Sequence, residues 1–459
     1  MNTPDDNNET EDFRARGAVQ LMFRGSTDPR VRLVIAVFVL GSAAHLWLAD
    51  AAQPGWMPAN MLYVLGLVIL VVSGGPIGWS LCAAGLAIPL LFLRDQLTQS
   101  AFLLAVSVAG VGFTGQDAPR ARVDSFLVTL RALTLITYGV AGFHKLNDQF
   151  LDAAYSCANY GIDEVVTYWN LDRGWIAPDA GFWPFVALAS ELSVPALYLA
   201  RRRHAARIAA LVFHIPLTMT MAPAFAFVMA AGHAAFVTDD ERRILWAGLR
   251  RHAVPLVAFG ALVTGLSLGL HGAWPEPLMI PREFLLWLAL GWFVVVRPDR
   301  TTFGLEPRGA ARFVIIGAFA LNVLSPYAGL QYQHAGAMLS NLRIDRGCWN
   351  HALLPEAVRI TDDYVRAEAA WFGEPGRLPE YEQIVREQLW SPPQMLQMRR
   401  NWCKPALRPF YMRGTYRGAP FVIEDICDTR EPWPFQPLFP DYLRFQKNLL
   451  RTCPQTCIH

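Results

Sequence analysis

Charge is what this chain has least of. Of its 459 residues, 17% are Asp, Glu, Lys or Arg, against about 25% in soluble globular domains. Lysine is the rarest of the four, with three in all. The net charge is only +2, and no basic run interleaved with aromatics marks a nucleic-acid surface, so nucleic acid is not an expected partner. The first thirty residues lack the basic stretch of a cleavable secretion signal; Asp5, Asp6, Glu9, Glu11 and Asp12 give them the opposite sign. There is no internal repeat, P-loop, dinucleotide fingerprint or HExxH pair. Neither a CxxC pair nor a histidine cluster accompanies Cys453-Pro-Gln-Thr-Cys457, so no metal is expected there.

Apolar residues fill the space that charge leaves. They make up 53% of the chain, with charge confined mainly to residues 1–30 and 335–459. A membrane-spanning helix needs roughly 20 apolar residues, with about 17–25 tolerated. Segments 31–50, 57–74, 76–93, 97–115, 123–144, 181–200, 205–222, 224–238, 253–271, 282–297 and 311–329 meet or approach that length. The expected fold is an all-α polytopic membrane bundle of about 10–11 transmembrane helices over residues 31–334. A cytoplasmic tail (1–30) precedes it and a small α+β exoplasmic region (335–459) follows. Residues 13–24 read either as a short helix lying on the bilayer or as a mobile tail. Pro216 and Pro223 read as kinks, or as breaks in helices that face a cavity.

Arginines set the expected orientation. One set of helix ends carries Arg24, Arg30, Arg32, Arg120, Arg122, Arg201, Arg202, Arg203, Arg207, Arg242, Arg243, Arg250, Arg251, Arg297, Arg300, Arg308 and Arg312. Loops 51–56 and 272–281 carry almost none. With eleven spans, the N-terminus is expected in the cytoplasm and the C-terminal region on the periplasmic side of an inner membrane. Six of the seven cysteines fall on that side: Cys157, Cys348, Cys403, Cys427, Cys453 and Cys457. Thiols oxidise there, so up to three disulfide bonds are expected, with no connectivity assigned. Cys82 lies within a span.

The longest loop between spans, 145–180, holds Tyr155, Tyr160, Tyr168, Trp169 and Trp175 and reads as interfacial packing or a lid. Beyond the bundle, 355–371 and 379–401 pattern as helices and 410–426 as a β-hairpin. The prolines from Pro432 to Pro440 impose an extended stretch before a short helix near 441–451.

Ionisable groups within spans cost about 2.5–3.5 kcal/mol each on insertion scales, so each is a candidate functional residue. Arg131, Tyr138 and Lys145 recur every seven residues, on one helical face. Gly139, Ala141 and Gly142 leave room for a neighbouring helix. Lys145 is then either a desolvated base or a lysine snorkelling to the interface. Glu191 has Lys145, Arg131 and His214 as candidate partners. His214 and His233 read singly as hydrogen-bonded packing residues, but with Glu191 and Lys145 they outline a polar pocket. The polar run from His334 through Asn341, Arg343, Cys348 and Asn350 to His351 reads as a substrate entrance or a structural junction.

Ala141-Gly-Phe-His-Lys-Leu-Asn147, the intramembrane Glu191, and Phe213-His214 before a Phe/Met-rich helix resemble the HTTM family in order, spacing and membrane side. That family is the membrane domain shared by vitamin K-dependent γ-glutamyl carboxylase and many bacterial relatives. Met338-Leu-Ser-Asn-Leu-Arg343 and Asn350-His351 extend the resemblance over roughly residues 25–355. The resemblance implies catalytic roles for Lys145, as the base that deprotonates a reduced quinone like vitamin K hydroquinone, and for His214, which orients the quinone or stabilises an oxyanion. Tyr138, His144, Glu191, His233, Asn341 and Arg343 are the accompanying candidates for binding quinone or substrate.

In that family oxygen converts the quinone to an epoxide through a strongly basic alkoxide. The alkoxide takes the γ-proton of a peptide glutamate, and carbon dioxide adds; such a base needs a water-free site. Here His144 replaces a lysine of the carboxylase, and the C-terminal region is shorter than its lumenal region. The expected substrate therefore widens to a peptide or a small carbon acid. The competing expectation is a non-enzymatic scaffold, assembly factor or immunity-type protein. A transporter is disfavoured by the lack of a two-fold repeat.

Overall fold

The computed structural model describes residues 28–48, 57–89, 98–114, 120–169, 172, 174, 181–219, 223–269, 310–329, 339–428, 430, 433–435 and 449–457. Each expected span that falls within those residues contains a helix, though not over its full expected length. The helices are α1 (Pro29–Leu48), α2 (Met57–Val72), α3 (Pro76–Ile88), α4 (Thr98–Phe113), α5 (Arg120–His144), α6 (Asp148–Leu151), α7 (Cys157–Trp169), α8 (Phe182–Leu199), α9 (Arg203–Met219), α10 (Pro223–Ala234), α11 (Asp239–Gly269) and α12 (Ala310–Leu324). Span 282–297, the surface segment 13–24, loops 51–56 and 272–281, Trp175, His334 and Met338 lie outside the described residues.

Among the described residues, three helices are long and apolar enough to cross a membrane: Arg120–His144, Phe182–Leu199 and Ala310–Ala328, the last including a 3₁₀ turn. Shorter apolar helices are Met57–Val72, Pro76–Ile88, Gln99–Phe113 and Phe225–Ala234. Pro216 does not interrupt α9, which runs on to Met219. The helix expected at 253–271 starts earlier, at Asp239, because Asp239, Asp240 and Glu241 complement its positive N-terminal dipole.

The helices share one apolar interior that includes Phe38, Trp79, Phe126, Leu130, Val194 and Val228. Their outer faces are apolar too. On α2, Tyr63, Leu67 and Leu70 are buried, while Met57, Met61, Val64, Leu65, Val68, Val71 and Val72 form an exposed stripe. A helix that is apolar on all sides is at home in a core or in lipid, not at a water interface. Of the arginines counted towards orientation, Arg203, Arg207 and Arg312 are buried and so belong to the interior rather than to loops.

The loop 145–180 contributes α6 and α7. The C-terminal region is an antiparallel sheet of β1 (Val365–Phe372), β2 (Gln388–Trp390), β3 (Phe410–Tyr416), β4 (Ala419–Ile423) and β5 (Leu449–Leu450), in the order β4-β3-β1-β2-β5. Helices α13 (Pro379–Glu387) and α14 (Pro392–Trp402) accompany it. The 410–426 hairpin forms as expected, with Met412 opposite Ile423.

Two helical expectations give way to strand, and a third does so at its described end. Segment 355–371 is a 3₁₀ turn (Glu356–Val358) followed by β1, whose Ala- and Glu-rich sequence is overridden by pairing with β3 and β2. Segment 379–401 is split by β2, because two prolines at 392 and 393 disfavour helix at the residue before them. Of the expected helix near 441–451, residues 441–448 lie outside the described residues, and Leu449–Leu450 form β5, paired with β2.

Three disulfide bonds staple this region: Cys157–Cys457, Cys348–Cys453 and Cys403–Cys427. The first ties α7 to the last residues of the chain across a separation of 300. Cys82 is a free, buried thiol.

Candidate functional site

Helix α5 ends at His144, and Lys145 occupies the turn that closes it, its N–H donating to the Gly142 carbonyl (3.1 Å). That turn is clasped from the C-terminal region. Asn147 Oδ1 accepts from Phe150 N (2.8 Å), capping α6, while Nδ2 donates to the carbonyls of His144 (2.8 Å) and Ser340 (2.6 Å). Asn350 Nδ2 donates to Asn147 Oδ1 (3.2 Å), and Ala352 N donates to Leu146 O (2.9 Å).

The Lys145 side chain does not snorkel. Its Nζ donates to Glu191 Oε1 at 2.9 Å and lies 2.8 Å from Oε2. Both residues are buried, at 5% and 2% exposure. Glu191 stands midway along α8, so the pair lies well inside the bundle. Gly142 permits it: a Cβ there would lie 2.7 Å from Leu192 Cδ2 and 3.5 Å from Glu191 Cβ. The expected role of Gly139 does not hold, since a Cβ added there meets nothing within 4 Å.

Two turns back along α5, Tyr138 begins a second polar layer. Its hydroxyl lies 2.6 Å from His214 Nε2 and 2.8 Å from His233 Nε2. A phenol has one proton, so it donates to one imidazole and accepts from the other. His233 Nδ1 then meets the Tyr198 hydroxyl at 2.7 Å. Tyr198 in turn hydrogen-bonds Arg207, whose Nη2 donates to Glu241 Oε2 at 3.0 Å. Glu241 also closes a capping box with Thr238 at the start of α11 (2.8 and 3.3 Å). The chain of contacts thus runs through five helices, α5, α8, α9, α10 and α11, by way of groups that are all buried. α10 can approach α5 only because residue 232 is glycine, since a Cβ there would collide with Thr134 Oγ1.

Lys145, Glu191, Tyr138, His214 and His233 are therefore assembled in two neighbouring layers. Arg131 lies on the same side of α5 but donates to Ala235 O (2.8 Å) rather than to Glu191. His144, Asn341 and Arg343 are placed elsewhere. His144 Nδ1 meets Tyr327 Oη (2.8 Å) and Nε2 meets Val323 O (3.0 Å), turning the ring towards α12. Asn341 receives Cys157 N (2.7 Å) and donates to Tyr155 O (2.7 Å). Arg343 pairs with Asp345 (2.7 Å) and holds Gln455 and the carbonyls of Leu450 and Thr452. The polar run 339–351 is a structural junction here. Within it, His351 accepts Leu353 N and Leu354 N at Nδ1 (3.1 and 3.0 Å) and meets Phe143 O through Nε2 (3.0 Å). Burial pushes its imidazole below the ordinary value.

Three members of the array are absent from the sequence reading of the pocket: Tyr198, Arg207 and Glu241. Tyr198 carries a usable signal, standing seven residues beyond Glu191 just as Lys145 stands seven beyond Tyr138. Among the described residues no group of His, Cys, Asp and Glu is arranged to hold a metal. No family model, curated protein or solved structure matches this chain.

Proposed function

We propose that the chain is a polytopic membrane protein whose interior carries an acid–base site. Within that class, we propose an HTTM-type protein resembling vitamin K-dependent γ-glutamyl carboxylase, acting on a reduced quinone with dioxygen as co-substrate and a peptide or small carbon acid as substrate. The apolar outer faces of the helices support the membrane reading. The charge-poor spans and the remaining loop arginines support a cytoplasmic N-terminus and an exoplasmic C-terminal region, where the disulfides would be stable.

One observation carries the site reading: Lys145 and Glu191 form an ion pair in the interior, with Nζ 2.9 and 2.8 Å from the two carboxylate oxygens. A carboxylate can accept about four hydrogen bonds, and this ammonium is the partner of both oxygens among the described residues. The remaining acceptor positions suit a ligand bearing a hydroxyl. A hydroquinone fits that requirement and would be held by Lys145 and Glu191. When bound, such a group supplies the electrons that activate oxygen. The residues supply the rest. In place of the lysine base that the resemblance implies, Glu191 accepts the hydroxyl proton, because Lys145 is held as its ammonium partner and stabilises the charge left behind; surrounding lipid and apolar side chains exclude water. The Tyr138–His214–His233–Tyr198 array can pass protons between neighbours at 2.6–2.8 Å.

A scaffold role has one observation in its favour, that Tyr138, His233 and Tyr198 satisfy one another without a ligand. Quinone binding to the purified full chain separates the two readings. Wild-type protein is expected to retain reduced quinone, and Lys145→Ala and Glu191→Gln to lose it while remaining folded. Lys145→Arg should not restore it, because a planar guanidinium does not replace an ammonium in a closed site. If wild type and Lys145→Ala retain equal amounts of quinone, the enzyme reading fails.

A further inference from the structure

A cleft of about 480 Å³ opens in the C-terminal region, apart from the Lys145 site. Three arginines from three separate segments line it beside one acid, Asp362: Arg346 in the turn after Asp345, Arg366 on β1 and Arg417 in the β3–β4 turn. Arg366 pairs with Asp362 (3.0 Å) and Arg417 with Asp363 (2.6 Å). Arg346 is exposed and makes no ion pair or hydrogen bond with any described residue. Its guanidinium therefore offers its whole fork to the cleft, a geometry suited to phosphate or carboxylate oxygens.

The hairpin turn is a second sign that this cleft has a use. Arg417 and Gly418 both have left-handed backbone, at φ 53° and 78°. Such turns are comfortable with Asn-Gly, and an arginine in the first position is unfavourable for a side chain. Strain of this kind persists where a residue is needed for something else.

Position argues for the source of the anion. Ile360 and Thr361, in the wall of the cleft, donate their N–H groups to the Ala328 carbonyl at the end of the α12 span (3.2 and 3.3 Å). Leu353 follows Ala352, which is bonded to Leu146 just beyond α5. Leu353, Val358 and Ile360 are exposed aliphatics close to these two helix ends. On the membrane reading, this level is where acyl chains meet headgroups. We propose that the cleft binds the phosphate headgroup of an anionic phospholipid, with Arg346 as the principal contact and Ile360 beside the acyl chains. The proposal rests on the membrane reading alone and is independent of the quinone site.

The test uses the full chain, purified in detergent, stripped of lipid and then offered phosphatidylglycerol or phosphatidylcholine. Retained lipid is read by native mass spectrometry. Wild type is expected to prefer phosphatidylglycerol roughly tenfold, and Arg346→Glu to show no preference. Arg346 is exposed and makes no hydrogen bond or ion pair with a described residue, so this change is expected to leave the fold and the three disulfides in place. Equal retention of the two lipids by wild type, or an unchanged preference in Arg346→Glu, overturns the proposal. Displacement by equimolar inorganic phosphate assigns the cleft to a free anion, and displacement by oligoglutamate to an acidic peptide; either result also overturns it. Release of the protein from membranes by salt or carbonate without detergent refutes the membrane reading itself.

Discussion

The helical bundle and the C-terminal region solve opposite problems with one chain. The bundle turns Leu40, Val72 and Leu321 outward and keeps Lys145, Glu191, His214 and Glu241 inside. The C-terminal sheet does the reverse. Val365, Phe372, Phe410 and Met412 form its core, with Phe372 and Phe410 stacked at 4.2 Å, while Glu368 and Arg413 face out. The sheet core is small and is reinforced by disulfides, as small domains in oxidising compartments are. The bundle takes part in one of these bonds, through Cys157 on α7, and its polar groups must find one another. In lipid or a dry core an unpaired charge has no water to fall back on. Stability therefore depends on polar pairing in the first region and on apolar packing plus cross-links in the second.

Breaking the polar pairing should have the largest effect. Glu191→Leu strands the Lys145 ammonium in the interior and is expected to cost about 3–5 kcal/mol, seen as loss of folded protein in a detergent melt. Adding Lys145→Met to Glu191→Leu should recover most of that stability without recovering quinone binding. A double variant as unstable as the single would place the loss in packing instead of charge. The sheet should respond to its own staple. Cys403→Ala with Cys427→Ala opens a loop of 24 residues and is expected to cost about 3 kcal/mol in the chain-entropy model. Limited proteolysis should then cut the C-terminal region and spare the bundle; cutting in both would show that the two fold as one unit.

Smaller changes sharpen the contrast. Gly142→Ala drives a methyl into Leu192 and should cost about 1–3 kcal/mol by moving α8 off α5. Gly139→Ala, facing open space, should cost nothing measurable in the same melt. Tyr198→Phe removes the hydroxyl shared by His233 and Arg207 and should cost roughly 1–3 kcal/mol, again read by melting. The smallest effect concerns pH at the junction. His351 has a depressed folded value because burial disfavours its charged form, and its Nδ1 must stay unprotonated to accept two N–H groups. Its contribution is present above the ordinary value of 6.5 and is lost as pH falls below that towards the folded value. Amide exchange at Leu353 and Leu354 should accelerate on acidification, and His351→Phe should remove that pH dependence.

Much of the bundle was legible because a spanning helix is a local object. An apolar helix satisfies its own backbone, so it can be read from composition; each expected span within the described residues contains a helix, and three of these are long and apolar enough to cross a membrane. The site was legible in part. Helical spacing put Tyr138 and Lys145 on one face, but it left Glu191 with three possible partners. His144 and Lys145 are adjacent in sequence and face different helices, α12 and α8. Arg207 looked like a loop charge until Glu241 was placed beside it. In the sheet, β1 has the residues of a helix and is a strand because β2 and β3 lie on either side. The break at β2, by contrast, was written in the two prolines that follow Ser391.

The sequence by itself determined where the chain has no use for water, and which side chains would be costly there. Hydropathy and backbone self-satisfaction act over one or two turns, so neighbours along the chain are enough to specify them. Only the tertiary structure decided which costly side chains meet. A contact such as Lys145–Glu191 spans 46 residues, and it depends on the closeness of two helices at a single glycine. It also joined six cysteines in pairs separated by as much as 300 residues, a connectivity that spacing along a chain cannot carry.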